Sequence, residues 1–260
     1  MDLFQAVILG IVQGIAEWLP ISSEGVNSLI LIYFFNSSLT DAVYLSIWLH
    51  SGTLLAAVVF FRKQILKLLK NLRHYSFKET PYNNLTNFLV ASTIVTGIIG
   101  LPILLFGLDK LDFNGNLATA FIGILLIITG FLQLFIKNQT LKKLPTTFDG
   151  ILAGFVQPFA GLPGLSRSGL TVSVLIFRGY NPETALSLSF LMSIPAVFGA
   201  EIVLILLDKV TFSYYLLLAM VFSFIIGLFT LNFLTQFAKK FNFGYFCILL
   251  GLISFTPLIL

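Results

Sequence analysis

Two short segments, Leu19-Pro20-Ile21-Ser22-Ser23-Glu24-Gly25 and Gly161-Leu162-Pro163-Gly164-Leu165-Ser166-Arg167-Ser168-Gly169, decide the fold, because each cuts a long apolar stretch in two. The first break lies inside residues 2–35 and the second inside residues 149–177. A helix needs roughly 20 apolar residues to cross the hydrocarbon core of a bilayer. The pieces after the breaks, Val26 to Phe35 and Leu170 to Phe177, have only 10 and 8. Each broken region therefore reads as a re-entrant helical hairpin that enters the membrane and leaves by the same face. Irregular backbone at that depth is tolerated where it lines a cavity or is buried in protein.

Outward from the breaks, residues 42–61, 85–108, 117–136, 184–207, 213–236 and 244–260 are long enough, or nearly so, to span. Composition agrees. Of 260 residues 57% are hydrophobic and only 10% charged, whereas a soluble domain carries about 25% charged residues. A soluble protein and a disordered one are both excluded, since disorder needs low hydrophobicity. The single Cys247 excludes a disulfide framework and a cysteine-based metal site. Asp2 stands where a signal peptide would carry positive charge, so no cleavable leader is expected. The many Phe residues read as lipid-facing bulk.

Charge tests this topology. Arg62, Lys63, Lys67, Lys70, Arg73 and Lys78 follow the first span, Lys137, Lys142 and Lys143 the third, Arg178 the second hairpin, and Lys239 and Lys240 the fifth span. All share one face, expected to be cytoplasmic, only when both broken regions are re-entrant. Lys110 and Lys209 fall on the other face. The net charge of +4 is thus a topology signal, and nucleic acid is not expected as a partner. The segment from Arg62 to Lys78 reads as a basic loop that anchors this topology, with anionic headgroups within its reach.

A shift of 144 residues places Ser22 to Gly25 over Ser166 to Gly169, Gly10 over Gly154 and Gln13 over Gln157. A shift of 143 places Ala42 over Ala185 and Ser46 over Ser189. Each half is then one hairpin and three spans: hairpin 2–35 with spans 42–61, 85–108 and 117–136 in a first repeat of residues 1–136, and hairpin 149–177 with spans 184–207, 213–236 and 244–260 in a second of residues 149–260. Three spans are an odd number, so the halves face opposite ways. The expected fold is an all-α membrane domain with six transmembrane helices and two re-entrant hairpins in an inverted-topology repeat, its broken helices meeting near the midplane.

Ionisable residues at membrane depth are functional candidates by default. The first hairpin offers Gln13 and Glu17, four apart on one helix face, then Ser22, Ser23 and Glu24; the second offers Ser166, Arg167, Ser168 and Thr171. A guanidinium fork, hydroxyls and two half-helix N-termini suit a phosphate. Plainer readings stand beside this one. Glu17 and Arg167 could be a structural ion pair, and hydroxyls and small residues also serve helix packing. Glu201 could face the cavity or reach the interface. His50 reads first as a hydrogen-bonded packing residue, with an auxiliary part in the chemistry as the rarer case, and His74 reads as solvated.

Gln13-Gly14-Ile15-Ala16-Glu17-Trp18-Leu19-Pro20-Ile21-Ser22-Ser23 resembles the first signature of the undecaprenyl-diphosphatase family: a glutamate or glutamine four residues before a glutamate, then Pro-x-Ser-Ser. Pro163-Gly164-Leu165-Ser166-Arg167-Ser168-Gly169-Leu170-Thr171 resembles its second, Pro-Gly-x-Ser-Arg-Ser-x-x-Thr, at every fixed position. The resemblance implies an enzyme that removes the terminal phosphate of a polyprenyl diphosphate of undecaprenyl or dolichyl type and so recycles a lipid carrier. It implies Glu17, Ser23 and Arg167 as catalytic residues, with Ser23 the candidate nucleophile. Ser22, Ser166, Ser168, Thr171 and Gln13 would be phosphate contacts, and Mg2+ or Ca2+ a cofactor with Glu17 as its ligand. Expected partners are the polyprenyl diphosphate, membrane lipids and a second copy in a homodimer; the expected location is the cell membrane, with the cavity opening to the outer face. Gln13 stands where many members have a glutamate. Bacterial members follow the serine pair with x-Gly-His, whereas this chain has Glu24-Gly25-Val26. Either that histidine is dispensable, or Glu24 or His50 stands in for it, or hydrolysis is lost. The rival class is a transporter, in its most specific form a polyprenyl-phosphate flippase, because inverted repeats with broken helices are also the plan of transporters; a non-catalytic lipid-binding scaffold is a third.

Overall fold

The computed structural model describes residues 1–73, 75–76, 80–107, 115–135, 144–209, 212–237 and 244–256. Among them the protein is all helix with no strand. The helices are α1 (Leu3–Ala16), α2 (Ser23–Phe35), α3 (Leu39–Phe60), α4 (Arg62–Leu72), α5 (Pro81–Pro102), α6 (Gly115–Phe135), α7 (Thr147–Val156), α8 (Arg167–Phe177), α9 (Pro182–Leu206), α10 (Tyr214–Phe237) and α11 (Gly244–Ile253). Four are long and apolar enough to cross a membrane: α3, α5 with the π turn that extends it to Gly107, α9, and α10 over Tyr214–Leu234. His74, Lys78, Lys110, Lys137, Lys142, Lys143, Lys239 and Lys240, on which part of the charge argument rests, lie outside the described residues, as do the ends of stretches 85–108, 117–136 and 244–260.

Both breaks are real. α1 stops at Ala16, a run of turns carries the chain to Ser22, and Ser22 caps α2 through its side chain, which accepts from the Gly25 N–H at 3.1 Å. In the second break α7 ends at Val156, earlier than the Gly161 to Gly169 segment suggests. Pro158 lacks the N–H that an α-helix would use, so the backbone tightens into a 3-10 turn over Gln157–Gly161. Ser166 then caps α8, accepting from the Gly169 N–H at 3.0 Å. The two caps are the positions that the 144-residue shift superposes.

Packing crosses between the halves. α1 runs against α10 and α7 against α5, while α6 lies along α11. The crossings are close because glycines face backbone: a Cβ on Gly10 would stand 2.4 Å from the Ala219 carbonyl oxygen, and one on Gly154 2.6 Å from that of Ser92. Gly123 and Gly251 face one another in the same way, each with a Cβ position 2.7 Å from the other's carbonyl oxygen. With lipid outside there is little hydrophobic drive between helices, and such contacts favour packing of small residues. Large apolar side chains such as Ile94, Ile98, Phe229 and Phe233 stay exposed on the outside of α5 and α10. Not every aromatic is peripheral, however: Phe88 and Phe190 are buried.

One expectation needs correction. The basic segment after the first span is a helix rather than a loop over its first part. α4 sets Ile65 and Leu68 against the core and leaves Leu66, Leu69 and Leu72 exposed among Lys63, Lys67 and Lys70. The leucines recur at helical spacing, a period that the count of positive charges obscured.

Candidate active site

The tips of the two hairpins touch. Ser22, at φ 62°, is one of few non-glycine residues in the left-handed region. Such a conformation costs about 1 kcal/mol or more and persists when its surroundings hold it. Its side-chain oxygen accepts both the Gly25 N–H of its own helix and the Gly164 N–H of the other hairpin, each at 3.1 Å. Gly164 adopts φ 111°, and a Cβ on Gly25 would stand 2.8 Å from its nitrogen, so both glycines are required for the contact. Thr129 of α6 steadies the second tip, donating to the Gly164 carbonyl at 3.0 Å and accepting from the Ser166 N–H at 3.2 Å.

Glu17 lies at the centre, buried at the C-terminal end of α1. One carboxylate oxygen, Oε2, accepts from Gln13 Nε2 at 3.0 Å and from Ser23 Oγ at 2.8 Å and lies 2.9 Å from His50 Nε2. The other, Oε1, pairs with Arg167 Nη2. Arg167 Nη1 is buried without a hydrogen-bond partner, as is Glu24 Oε2. Ser23 Oγ is 3.4 Å from His50 Nε2, and Ser168 Oγ donates to the Leu19 carbonyl at 3.2 Å across the hairpin junction.

These groups form one end of a cavity of about 400 Å3. The polar end is lined by Glu17, Ser22, Ser23, Glu24, His50, Ser166, Arg167 and Ser168; the rest is an apolar arm between α5 and α9. In that arm Gly97 and Gly199 have no atom within 4 Å of where a Cβ would sit. A charged head beside an open apolar slot is the shape of a site for an amphiphile.

Most of the residues expected from sequence therefore converge, though not all. Gln13 is buried behind Glu17 and also accepts from Asn27 Nδ2 at 2.7 Å. Thr171 turns away, donating to the Arg167 carbonyl at 2.8 Å and lying 2.7 Å from Ser189 Oγ. Neither lines the cavity. Glu201 is buried beside Ser51 and outside the cavity lining. Gln157 is a lining residue passed over as a candidate. It donates to Thr96 Oγ1 at 3.0 Å, its Oε1 is without a partner, and its superposition on Gln13 was the available signal.

The donor set does not fit a resident metal held by Glu17. Both of its oxygens are committed to Arg167, His50, Ser23 and Gln13, and among the described residues no three His, Cys, Asp or Glu side chains stand together as a cation site. Mg2+ and Ca2+ call for several oxygen ligands, and Glu17 has no uncommitted oxygen to be one of them.

The chain is similar in sequence to known proteins over nearly its whole length. The family described as bacitracin resistance protein BacA matches residues 6–253. A protein of Methanococcoides burtonii named undecaprenyl-diphosphatase is 47% identical over 264 residues, covering 100% of both chains. Proteins of the same name from Methanothrix thermoacetophila and Haloarcula marismortui are 40% and 35% identical, covering 98% and 95% of this chain and 96% and 93% of their own.

Proposed function

The chain belongs to the BacA family, and from that premise we infer that it is a membrane phosphatase that hydrolyses the terminal phosphate of a polyprenyl diphosphate. The observation that carries the reading is the convergence of Glu17, Ser23 and Arg167 at the polar end of an otherwise apolar cavity, with Arg167 Nη1 buried and unpartnered. Phosphoryl transfer asks a protein chiefly for positioning and charge neutralisation. In this reading Arg167 Nη1 and the N–H groups opening α2 and α8 receive the phosphate oxygens, and the polyprenyl chain lies in the arm between α5 and α9. Ser23 Oγ attacks the terminal phosphorus while its proton passes to Glu17 Oε2, and the P–O bond to the carrier monophosphate breaks. Water then cleaves the phosphoserine. A divalent cation, Mg2+ or Ca2+, would arrive on the diphosphate oxygens.

The finer architecture belongs to the same proposal: six spans, two re-entrant hairpins, opposed halves, basic segments cytoplasmic. It is supported by the crosswise packing of α1 on α10 and α7 on α5, and by the matched glycine contacts. The apolar arm uses the later turns of α5 and α9, from Thr93 and from Pro195 onward. In this topology those turns lie toward the outer face, which favours entry from outside.

Purified protein in detergent, given a polyprenyl diphosphate with Mg2+ or Ca2+, should release phosphate. Failure to release any, or full rates in Glu17→Gln, Ser23→Ala and Arg167→Ala alike, would overturn the reading. Movement of labelled polyprenyl phosphate across liposomes without phosphate release would assign the chain to the flippase class instead.

A further inference from the structure

We propose that His50, on α3 and outside both sequence signatures, is the residue that returns a proton to Ser23 when phosphate leaves. The proposal rests on the phosphatase reading and adds a catalytic residue to it.

Both ring nitrogens of His50 face acceptors. Nδ1 lies 2.8 Å from the Ser46 carbonyl and Nε2 2.9 Å from Glu17 Oε2. A carbonyl and a carboxylate accept and do not donate, so the geometry puts hydrogen on both nitrogens. The Ser46 carbonyl, one turn back on the same helix, also fixes the ring's orientation. Nε2 is then a donor 3.4 Å from the nucleophile, Ser23 Oγ. The other charged and titratable groups around the ring are Glu24 of α2, whose Oε1 is 3.9 Å from Nε2, Arg167 of α8, and Glu201 of α9. Among the described residues no other histidine lines the cavity.

The proton count closes on this side of the phosphorus. In the first half, Ser23 Oγ bonds to the terminal phosphorus, the bridging P–O electron pair leaves with the carrier monophosphate, and the serine proton goes to Glu17. In the second, water bonds to phosphorus from the opposite side and both of its protons leave with the departing phosphate. The P–Oγ electron pair returns to Ser23, and His50 Nε2 delivers its proton to Oγ. Glu17 then hands its proton to His50 across their 2.9 Å contact, restoring the starting state. A packing histidine would have no part in that second half.

His50→Gln keeps a donor of similar size, and the test is rapid-quench turnover with intact-mass analysis. The expected result is a fall in kcat on the order of 10²- to 10⁴-fold, the usual contribution of a positioned acid or base, with KM within a few-fold and a phosphoryl group retained on Ser23. Turnover within about threefold of wild type, or loss of turnover with Ser23 unmodified, overturns the assignment. Should His50→Gln not fold, His74→Gln protein carrying 4-fluorohistidine at its remaining histidine keeps the ring's shape but lowers its basicity. It should accumulate the same phosphoserine, and unchanged turnover would refute the role. A wild type that releases no phosphate removes the underlying reading; a wild type that does, beside a fully active His50→Gln, removes this inference alone.

Discussion

The two hairpins open alike and diverge at the break. Each ends in a serine-capped half-helix, Ser22 before α2 and Ser166 before α8, and each entering helix meets a partner from the other half through glycine. What differs is the chemistry at the tip. The first hairpin brings the carboxylate and hydroxyl of Glu17 and Ser23, the second the guanidinium of Arg167, and the two charges close on one another. Similar scaffolds can therefore carry opposite charges, and a site for an anion arises only where they meet. In the proposed reaction the first half would take in the proton and the second the phosphate.

The sharpest way to break that division is to remove one side. Arg167→Ala should lower phosphate release by about 10²- to 10³-fold, the scale of losing a donor to a developing oxyanion, and Glu17→Gln should do as much. Losing one partner of a buried pair also destabilises by about 3–5 kcal/mol, so thermal unfolding should accompany the assay. Equal rates in both variants and wild type would dissolve the division of labour. The scaffolds themselves can be compared by Gly10→Val and Gly154→Val. Each forces a side chain against backbone and should cost about 1–3 kcal/mol or more. Similar losses in the two would support equivalent halves, and a loss in one alone would weaken the repeat.

How far the hairpins were legible from sequence depended on what kind of residue marked them. Proline, glycine and a charge inside an apolar run announce a break whatever surrounds it, so both breaks and the Glu17–Arg167 pairing could be read. His50 could not be ranked, because a lone histidine in an apolar helix looks the same whether its neighbour is a carbonyl or a nucleophile; only the fold brings α3 against the tip of the first hairpin. Gln157 was passed over because it sits before the motif. α4 was hidden by its charges, and the Gly10 and Gly14 pair, spaced by four, was a packing signal left unused.

Two smaller tests sharpen the contrast away from the tips. Gly199→Phe narrows the apolar arm without touching the charged end. KM for a long-chain polyprenyl diphosphate should rise about tenfold, an effect of about 1.4 kcal/mol, while farnesyl diphosphate is turned over as before; an equal change for both would remove the arm as the chain's seat. At the base of the second hairpin, buried Asp149 pairs with Arg178 Nε at 2.6 Å and accepts from the Tyr180 hydroxyl at 2.6 Å. Burial, then the bond to Asp149, pushes the Tyr180 hydroxyl well above the ordinary tyrosine range. A raised value favours the protonated, folded form, so that stabilisation is present below about pH 10 and is lost as pH climbs beyond it. Tyr180→Phe should lower stability by about 1 kcal/mol at neutral pH and flatten the alkaline decline of the melting temperature. A decline as steep as wild type would clear Tyr180 of that role.

Because α1 is clasped by α10 and α7 by α5, neither half of the chain encloses its own entering helix. The glycine face of α1 is therefore covered by a helix some two hundred residues downstream, which the ribosome delivers long after α1 itself. The order of translation makes the protein a pair of unfinished objects, and the candidate pocket is the seam along which they are joined.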